Sequence, residues 1–347
     1  VNAHKKATIN DIARLAGVSK KTVSRVINEE PNVGAVTRER VRRVIEEAGY
    51  IPDPQARGLA SRRSYLLALV YDNPNASYVT EAMHGVLDRC QPKGYELIVR
   101  PCDSSREGLV EDIAGFVRRL KIDGVLLLPP LSESEDLCGA LKAAGCNYVR
   151  LLPVAADDPA HMVCFNDREA VREIADHLVA LGHADIAFIQ GPESSRSSTE
   201  RWHGFRSALA AHDIELPVSR IARGDYTFQS GVDAAEWLLN AAEPTAIFAC
   251  NDEMALGVLV AAQKMGFRVP IDLTVIGYDD SPHASEVWPA LTTVNLQVRK
   301  MGSLAAEKLL FLCERNAEQA ARVQYELIPK FIQRQSTASP RKPGTRG

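Results

Sequence analysis

The chain has 347 residues, room for two or three domains at roughly 150 residues each, and its composition of 46% hydrophobic, 24% charged and 6% aromatic residues excludes a disordered, fibrous or membrane-embedded class. No apolar run approaches the ~18 residues that cross a bilayer, and the polar start Val1-Asn2-Ala3-His4-Lys5-Lys6 lacks the apolar core of a secretory signal, so a cytoplasmic location away from any membrane is expected. The net charge of −3 conceals an asymmetry: residues 1–63 carry 13 Lys and Arg against 7 Asp and Glu while the rest is acidic, which points to a polyanion bound at the N-terminal end alone.

The first fifty residues predict short helices. Thr8-Ile9-Asn10-Asp11 has the capping-box form, and Ile9, Ile12, Ala13 and Ala16 follow at helical spacing up to Gly17. Ser19 is placed to cap a second helix whose apolar face is Val23, Val26 and Ile27, and a third helix is expected from near Thr37 to Gly49. Helix, glycine-containing turn, helix is the arrangement that lays its second helix in a DNA major groove. Lys20, Lys21, Ser24 and Arg25 lie opposite that apolar face, where Lys and Arg suit guanine O6 and N7 and all four reach phosphates. A solvated charged face is the bland alternative for any such run.

Pro52 and Pro54 open a basic linker that ends near Arg63. Strands and helices then alternate, as a parallel α/β sheet requires. Strands are expected at 65–71, 95–100, 123–128, 147–152, 184–190, 245–250 and 273–278. Helices are expected at 76–91, 106–120, 134–144, 168–181, 199–211, 230–240 and 252–265. These are too many units for one sheet, and the polar stretch Ala155–His161 suggests a break between two lobes. A last helix near 297–314 and a strand near 324–333 would complete the lobes after return crossings. The expected division is a helix-turn-helix head at 1–53, a hinge at 54–63 and a core at 64–336. Its first lobe would hold about 64–163 and 295–325, its second about 164–294 and 326–336, with a disordered tail at 337–347.

At this point the residues carry a resemblance. The run from Ala7 to Asn28, with Gly49-Tyr50-Ile51-Pro52-Asp53 and the linker, closely resembles the DNA-binding head of the LacI/GalR family of bacterial transcription regulators, and the likeness runs to about residue 336. His177–His183, Asn251–Gly257 and Val275–Asp280 with Leu291-Thr292-Thr293 resemble the family's effector-binding core. The resemblance implies a two-lobed α/β core of the periplasmic-binding-protein type I class, with a ligand between the lobes. It implies base reading by Lys20, Lys21 and Arg25, and phosphate contacts by Thr8, Ser19, Thr22, Ser24 and Asn28. It also implies a hinge helix that folds on DNA, with Leu59 wedged into the minor groove and Ala56 and Arg57 beside it among the DNA-contacting positions.

For the effector, the resemblance points to Arg201, Asn251 and Asp279 just past strand ends, where parallel sheets bind ligands. Together a guanidinium, an amide and a carboxylate satisfy the donors and acceptors of vicinal hydroxyls. Phe165 and Tyr226 fall where the family supplies aromatic faces, and Asp72, Asn73 and Tyr78 follow the first strand. Asn251 and Asp279 have a second reading as caps of helices or turns, and Phe165 as core. Leu151-Leu152-Pro153 and Val298 depart from the lactose-binding branch, so ligand identity does not carry over.

The expected function is a homodimeric repressor of carbohydrate-utilisation genes, released from a palindromic double-stranded DNA operator by a mono- or disaccharide inducer. A purine corepressor is the alternative within the class, and a solute-binding protein outside it. No nucleotide-, zinc-protease- or hydrolase-type motif occurs, so no catalytic residue, cofactor or metal is expected. Seven scattered cysteines without a C-x-x-C pair disfavour a disulfide framework.

Overall fold

A computed structural model describes residues 7–27, 32–50, 63–73, 75–152, 158–193, 195–241 and 243–341. Two compact units divide the chain between Tyr65 and Leu66. The expected hinge lies outside the described residues apart from Arg63, and with it Ala56, Arg57 and Leu59; Asn28 is outside them as well.

In the first unit, α1 (Ile9–Ala16) starts on the expected capping box. The Asp11 amide donates to the Thr8 hydroxyl at 3.3 Å, and the Thr8 amide donates back to the Asp11 carboxylate at 3.0 Å. Gly17 ends the helix at φ +64, a left-handed conformation that glycine adopts without a Cβ clash. Helix α2 (Lys20–Ile27) begins where the Ser19 hydroxyl accepts from the Thr22 amide at 3.1 Å. The third helix, α3 (Ala35–Glu47), starts two residues before the expected Thr37. Ile12, Ala13, Ala16, Val23, Val26 and Val41 close a small core among the three.

The second unit holds two parallel sheets. Strands β1 (Leu66–Tyr71), β2 (Glu96–Pro101), β3 (Gly124–Leu127), β4 (Asn147–Leu151), β5 (Met162–Phe165) and β11 (Glu326–Leu327) form the first lobe's sheet, in the order β11-β5-β4-β3-β1-β2. The second lobe's sheet is β7-β6-β8-β9, from β6 (Ile186–Gln190), β7 (Ile221–Arg223), β8 (Ala246–Ala249) and β9 (Thr274–Ile276). An antiparallel pair, β10 (Thr293–Asn295) with β12 (Lys330–Ile332), accompanies it.

The expected lobe limits need correction. The break does not fall in Ala155–His161: all of β5 belongs to the first sheet, and Glu326 and Leu327 pair with its Cys164 and Phe165 rather than entering the second lobe. The single strand expected at 324–333 is thus two short strands in different sheets.

Helices α4 (Ala76–Cys90) and, after the last crossing, α12 (Val298–Cys313) pack backbone to backbone on the first lobe. A Cβ on Gly85 would overlap the Arg299 carbonyl oxygen, and one on Gly302 would overlap that of Ala82. In the same lobe the buried Lys308 ammonium donates to the carbonyls of Pro159, Ala320 and Val323 at 2.7, 2.9 and 2.7 Å, and burial pulls its pKa down to about 8.

The tail expected to be disordered is instead held on the second lobe as far as Arg341. Ser336, fully buried, donates to the Val275 carbonyl and accepts from the Thr292 amide, and Arg341 pairs with Asp272. The imidazole of His183, 2% exposed, lies at 2.9 Å from the Thr245 hydroxyl and 2.8 Å from the Ala338 carbonyl. Burial lowers its pKa from 6.5, so the folded chain binds fewer protons than the unfolded chain just below that pH. Its contribution is complete above pH 6.5 and lost as pH falls from there. Asp252, pushed up to about 6 by burial, acts in the opposite sense, so the comparison must be with a variant. Between pH 7.5 and 5.5 the melting temperature should fall more steeply for the natural chain than for His183→Gln. Equal slopes would show that His183 does not titrate in this way.

Candidate functional site

On α2, at 100° per residue, Lys20, Lys21, Ser24 and Arg25 share one side while Val23, Val26 and Ile27 occupy the other. Lys20 and Lys21 are exposed, and Thr22, Ser24 and Arg25 half-buried. The Thr8, Ser19 and Thr22 hydroxyls already serve the helix starts: Thr8 donates to Asp11 at 2.7 Å, and Ser19 and Thr22 share a 2.9 Å bond. Their role in the isolated head is to fix the two helices.

A cavity of about 220 Å3 lies where strands of both lobes end. From the first lobe, Asp72, Asn73 and Tyr78 follow β1, Glu133 follows β3 and Leu152 follows β4; from the second, Ser195 and Arg201 follow β6, Tyr226 follows β7, Asn251 follows β8 and Asp279 follows β9. Carboxyl ends of parallel strands converge here because every helical crossover leaves from that edge.

Arg201, carried on α8 (Arg196–Ala210), is 4% exposed. Its Nη1 donates to the Cys250 carbonyl at 2.6 Å, its Nε approaches Asp167 at 3.4 Å, and its Cζ lies 3.7 Å from the centroid of the Tyr278 ring. Burial alone would depress its pKa, and the surrounding negative groups, Asp167 first, more than restore it. The Tyr278 hydroxyl donates to Asp167 at 2.6 Å. Asp279 sits 3.9 Å from Arg201, yet burial outweighs that attraction and drives its pKa well up. Its φ of +124 is a conformation that L residues rarely adopt, and its amide is held by the Val294 carbonyl at 2.9 Å.

Asn251 is both a cap and a cleft residue. It caps α10 (Asp252–Lys264) by accepting from the Met254 amide and donates to the Tyr226 carbonyl, both at 3.0 Å. That bond holds Tyr226 at φ +70, with its hydroxyl 3.0 Å from that of Ser195. Asp72 accepts from the Ser104 amide at 2.8 Å, and the Asn73 side chain accepts from the Asn75 amide at 2.8 Å.

Phe165 does not line this cavity. It ends β5 in an adjoining one, also about 220 Å3, with Cys164, Arg196, Glu200 and Glu326, so the aromatic walls of the main cleft are Tyr78 and Tyr226. Sequence reasoning missed Glu133, Ser195 and Asp225. The strand-end rule that flagged Asp72 and Asn73 reaches Glu133 and Ser195 when applied after every expected strand, whereas Asp225 follows β7, which is not among them. Among the described residues no His, Cys, Asp and Glu group is arranged to hold a metal, and all seven cysteines are free.

Residues 8–53 match the family model "Bacterial regulatory proteins, lacI family", and residues 175–337 the periplasmic binding protein-like domain. The chain is 36% identical over 319 residues to the HTH-type transcriptional regulator CelR of Thermobifida fusca, covering 88% of this chain and 92% of that one. It belongs to the LacI family of bacterial transcriptional regulators. The lactose operon repressor of Escherichia coli is 32% identical across 97% of this LacI-family chain and 92% of its own. Among solved structures, the lac repressor dimer bound to operator and the anti-inducer ONPF is similar with a TM-score of 0.76 at 31% identity, over 96% of this chain and 100% of that one. A CelR–cellobiose complex is similar with a TM-score of 0.71 at 32% identity, over 95% and 99%. The head is therefore a LacI-family DNA-binding domain and the chain a DNA-binding transcriptional regulator. No helix among the described residues is long and apolar enough to cross a membrane.

Proposed function

We propose that this regulator represses carbohydrate-utilisation genes in the cytoplasm, where its DNA lies, and releases a palindromic operator when a small sugar enters the cleft. The observation that carries this reading is the constellation of buried Arg201 and Asn251 with half-buried Asp279 and Tyr226, facing Asp72 and Asn73 from the other lobe. It offers paired donors and acceptors between two aromatic walls, a chemistry suited to hydroxyls rather than to bond cleavage. Of the similar solved structures, the CelR complex holds cellobiose, and the lac repressor dimer is bound to operator and the anti-inducer ONPF.

Lys20, Lys21 and Arg25 read bases in this account, and the chain acts as a homodimer whose two heads meet two half-sites. Trp288 is 86% exposed in the single chain and so does not serve internal packing; we assign it to the dimer interface. The ligand switches the protein only through unequal affinity for its two states.

Thermal unfolding against mono- and disaccharides and purines tests the reading. At a hundredfold over its dissociation constant, a specific ligand should add about 2.7 kcal/mol. A sugar that stabilises the fold and releases operator supports it, whereas a purine that tightens operator binding replaces the inducer with a corepressor. Arg25→Ala should weaken operator binding by about 1–3 kcal/mol and relax base preference at one position, while a uniform loss across all DNA sequences would assign Arg25 to phosphate instead.

A further inference from the structure

Four carboxylates line the effector cleft, Asp72, Glu133, Asp225 and Asp279, against one guanidinium, Arg201; no Lys or His joins them among the described residues. With Asp279 held protonated by its burial, the other three against Arg201 carry a formal −2. Arg201 does little to offset this for a ligand, because it is already engaged by Asp167, the Cys250 carbonyl and the Tyr278 ring. Asp225 is held below its ordinary pKa by the Thr227 hydroxyl and stays charged at neutral pH. Glu133 is half-buried, as Asp72 and Asp279 are; burial raises its pKa, while the Arg196 amide and guanidinium and Arg150 oppose that rise. Neither arginine lines the cavity; Arg196 faces the adjoining one, and Arg150 is 2% exposed, with its Nε on the Ser132 carbonyl.

We infer that this cleft selects its effector by charge, accepting an uncharged or amine-bearing sugar and rejecting uronates and sugar phosphates, with Glu133 as the discriminating residue. The inference rests on the sugar reading above and narrows it. A low-dielectric cleft lined by one sign of charge focuses its field on whatever enters. Rejection of the wrong ligand by like charge is the usual route to specificity where the attractive contacts, here to hydroxyls, are common to all candidates.

The test compares matched series by calorimetry on the full-length protein: glucose, glucosamine, glucuronate and glucose 6-phosphate, the corresponding galactose set, and cellobiose. In whichever series binds, the acidic members are expected to bind at least about tenfold more weakly than the neutral parent, and the amine at least as tightly. Raising salt from 50 to 500 mM should narrow that gap, as should the isosteric Glu133→Gln, by threefold or more. A uronate or phosphate within threefold of its parent, or a gap that Glu133→Gln leaves unchanged, overturns the inference while leaving the sugar reading intact. Silence from every compound removes the sugar reading and the inference with it.

Discussion

Arg201→Ala is expected to lower the stability of the core by about 3–5 kcal/mol, the range for removing one partner of a buried charge pair. The cost arises from what stays behind. Asp167 is 6% exposed and would keep only the Tyr278 hydroxyl, the Tyr278 ring would lose the cation over its face, and the Cys250 carbonyl would lose its donor. Urea unfolding checks this, with Asp167→Ala and the double variant completing a cycle. The double variant should be more stable than the sum of the single losses predicts, because the second substitution removes the charge that the first leaves unpaired. Arg201→Lys separates folding from recognition. It keeps the charge but neither the planar fork nor the stacking surface, so most stability should survive while ligand-induced stabilisation disappears. A natural unfolding midpoint for Arg201→Ala would show that the buried network contributes little.

Gly85→Val should be nearly as damaging, although it lies outside the cleft. The added side chain meets the Arg299 carbonyl and the Ser303 amide, so α4 and α12 must move apart along their line of contact. Overpacking costs about 1–3 kcal/mol and more where backbone must move. Because α4 carries Tyr78 in its first turn and α12 follows the last crossing near Leu296, effector affinity should drop as well. Gly115→Ala is the control. Gly115 lies within α5 (Leu109–Leu120) with open space where a Cβ would stand, and the change should stabilise by about 0.5–1 kcal/mol. Equal effects at the two positions would mean that the α4–α12 approach is not tight.

The head and the βα alternation were legible because both depend on nearby residues. A capping box spans four positions, and a buried parallel strand announces itself as a short apolar run. The lobe limits were not, since β11 is two residues long and acquires its place only by pairing with Cys164 and Phe165. The same pairing places Phe165 beside the adjoining cavity, which its position just after an apolar run does not disclose. The tail reads as polar and unpatterned, yet the Ala338 carbonyl finds partners 64 and 155 positions away. Glu133 sits in a 3-10 turn of three residues, too short for any periodicity to mark it. Arg201, Asn251 and Asp279 were legible through resemblance, although only the structure shows that Asn251 acts on Tyr226 as well as lining the cleft.

The first lobe is completed by residues synthesised long after its other strands. Its sheet lacks an edge strand and its α4 lacks a covering helix until Val298–Leu327 has left the ribosome, about 160 residues after Phe165. At about 5–20 residues per second that is an interval of about 8–32 s. Throughout it the second lobe, continuous from β6 to β9, can assemble while the first waits with Ala82 and Gly85 uncovered. The half of the core that emerges first therefore stays incomplete while the second lobe's parallel sheet is made, and the nascent regulator depends on protection from aggregation there in that interval.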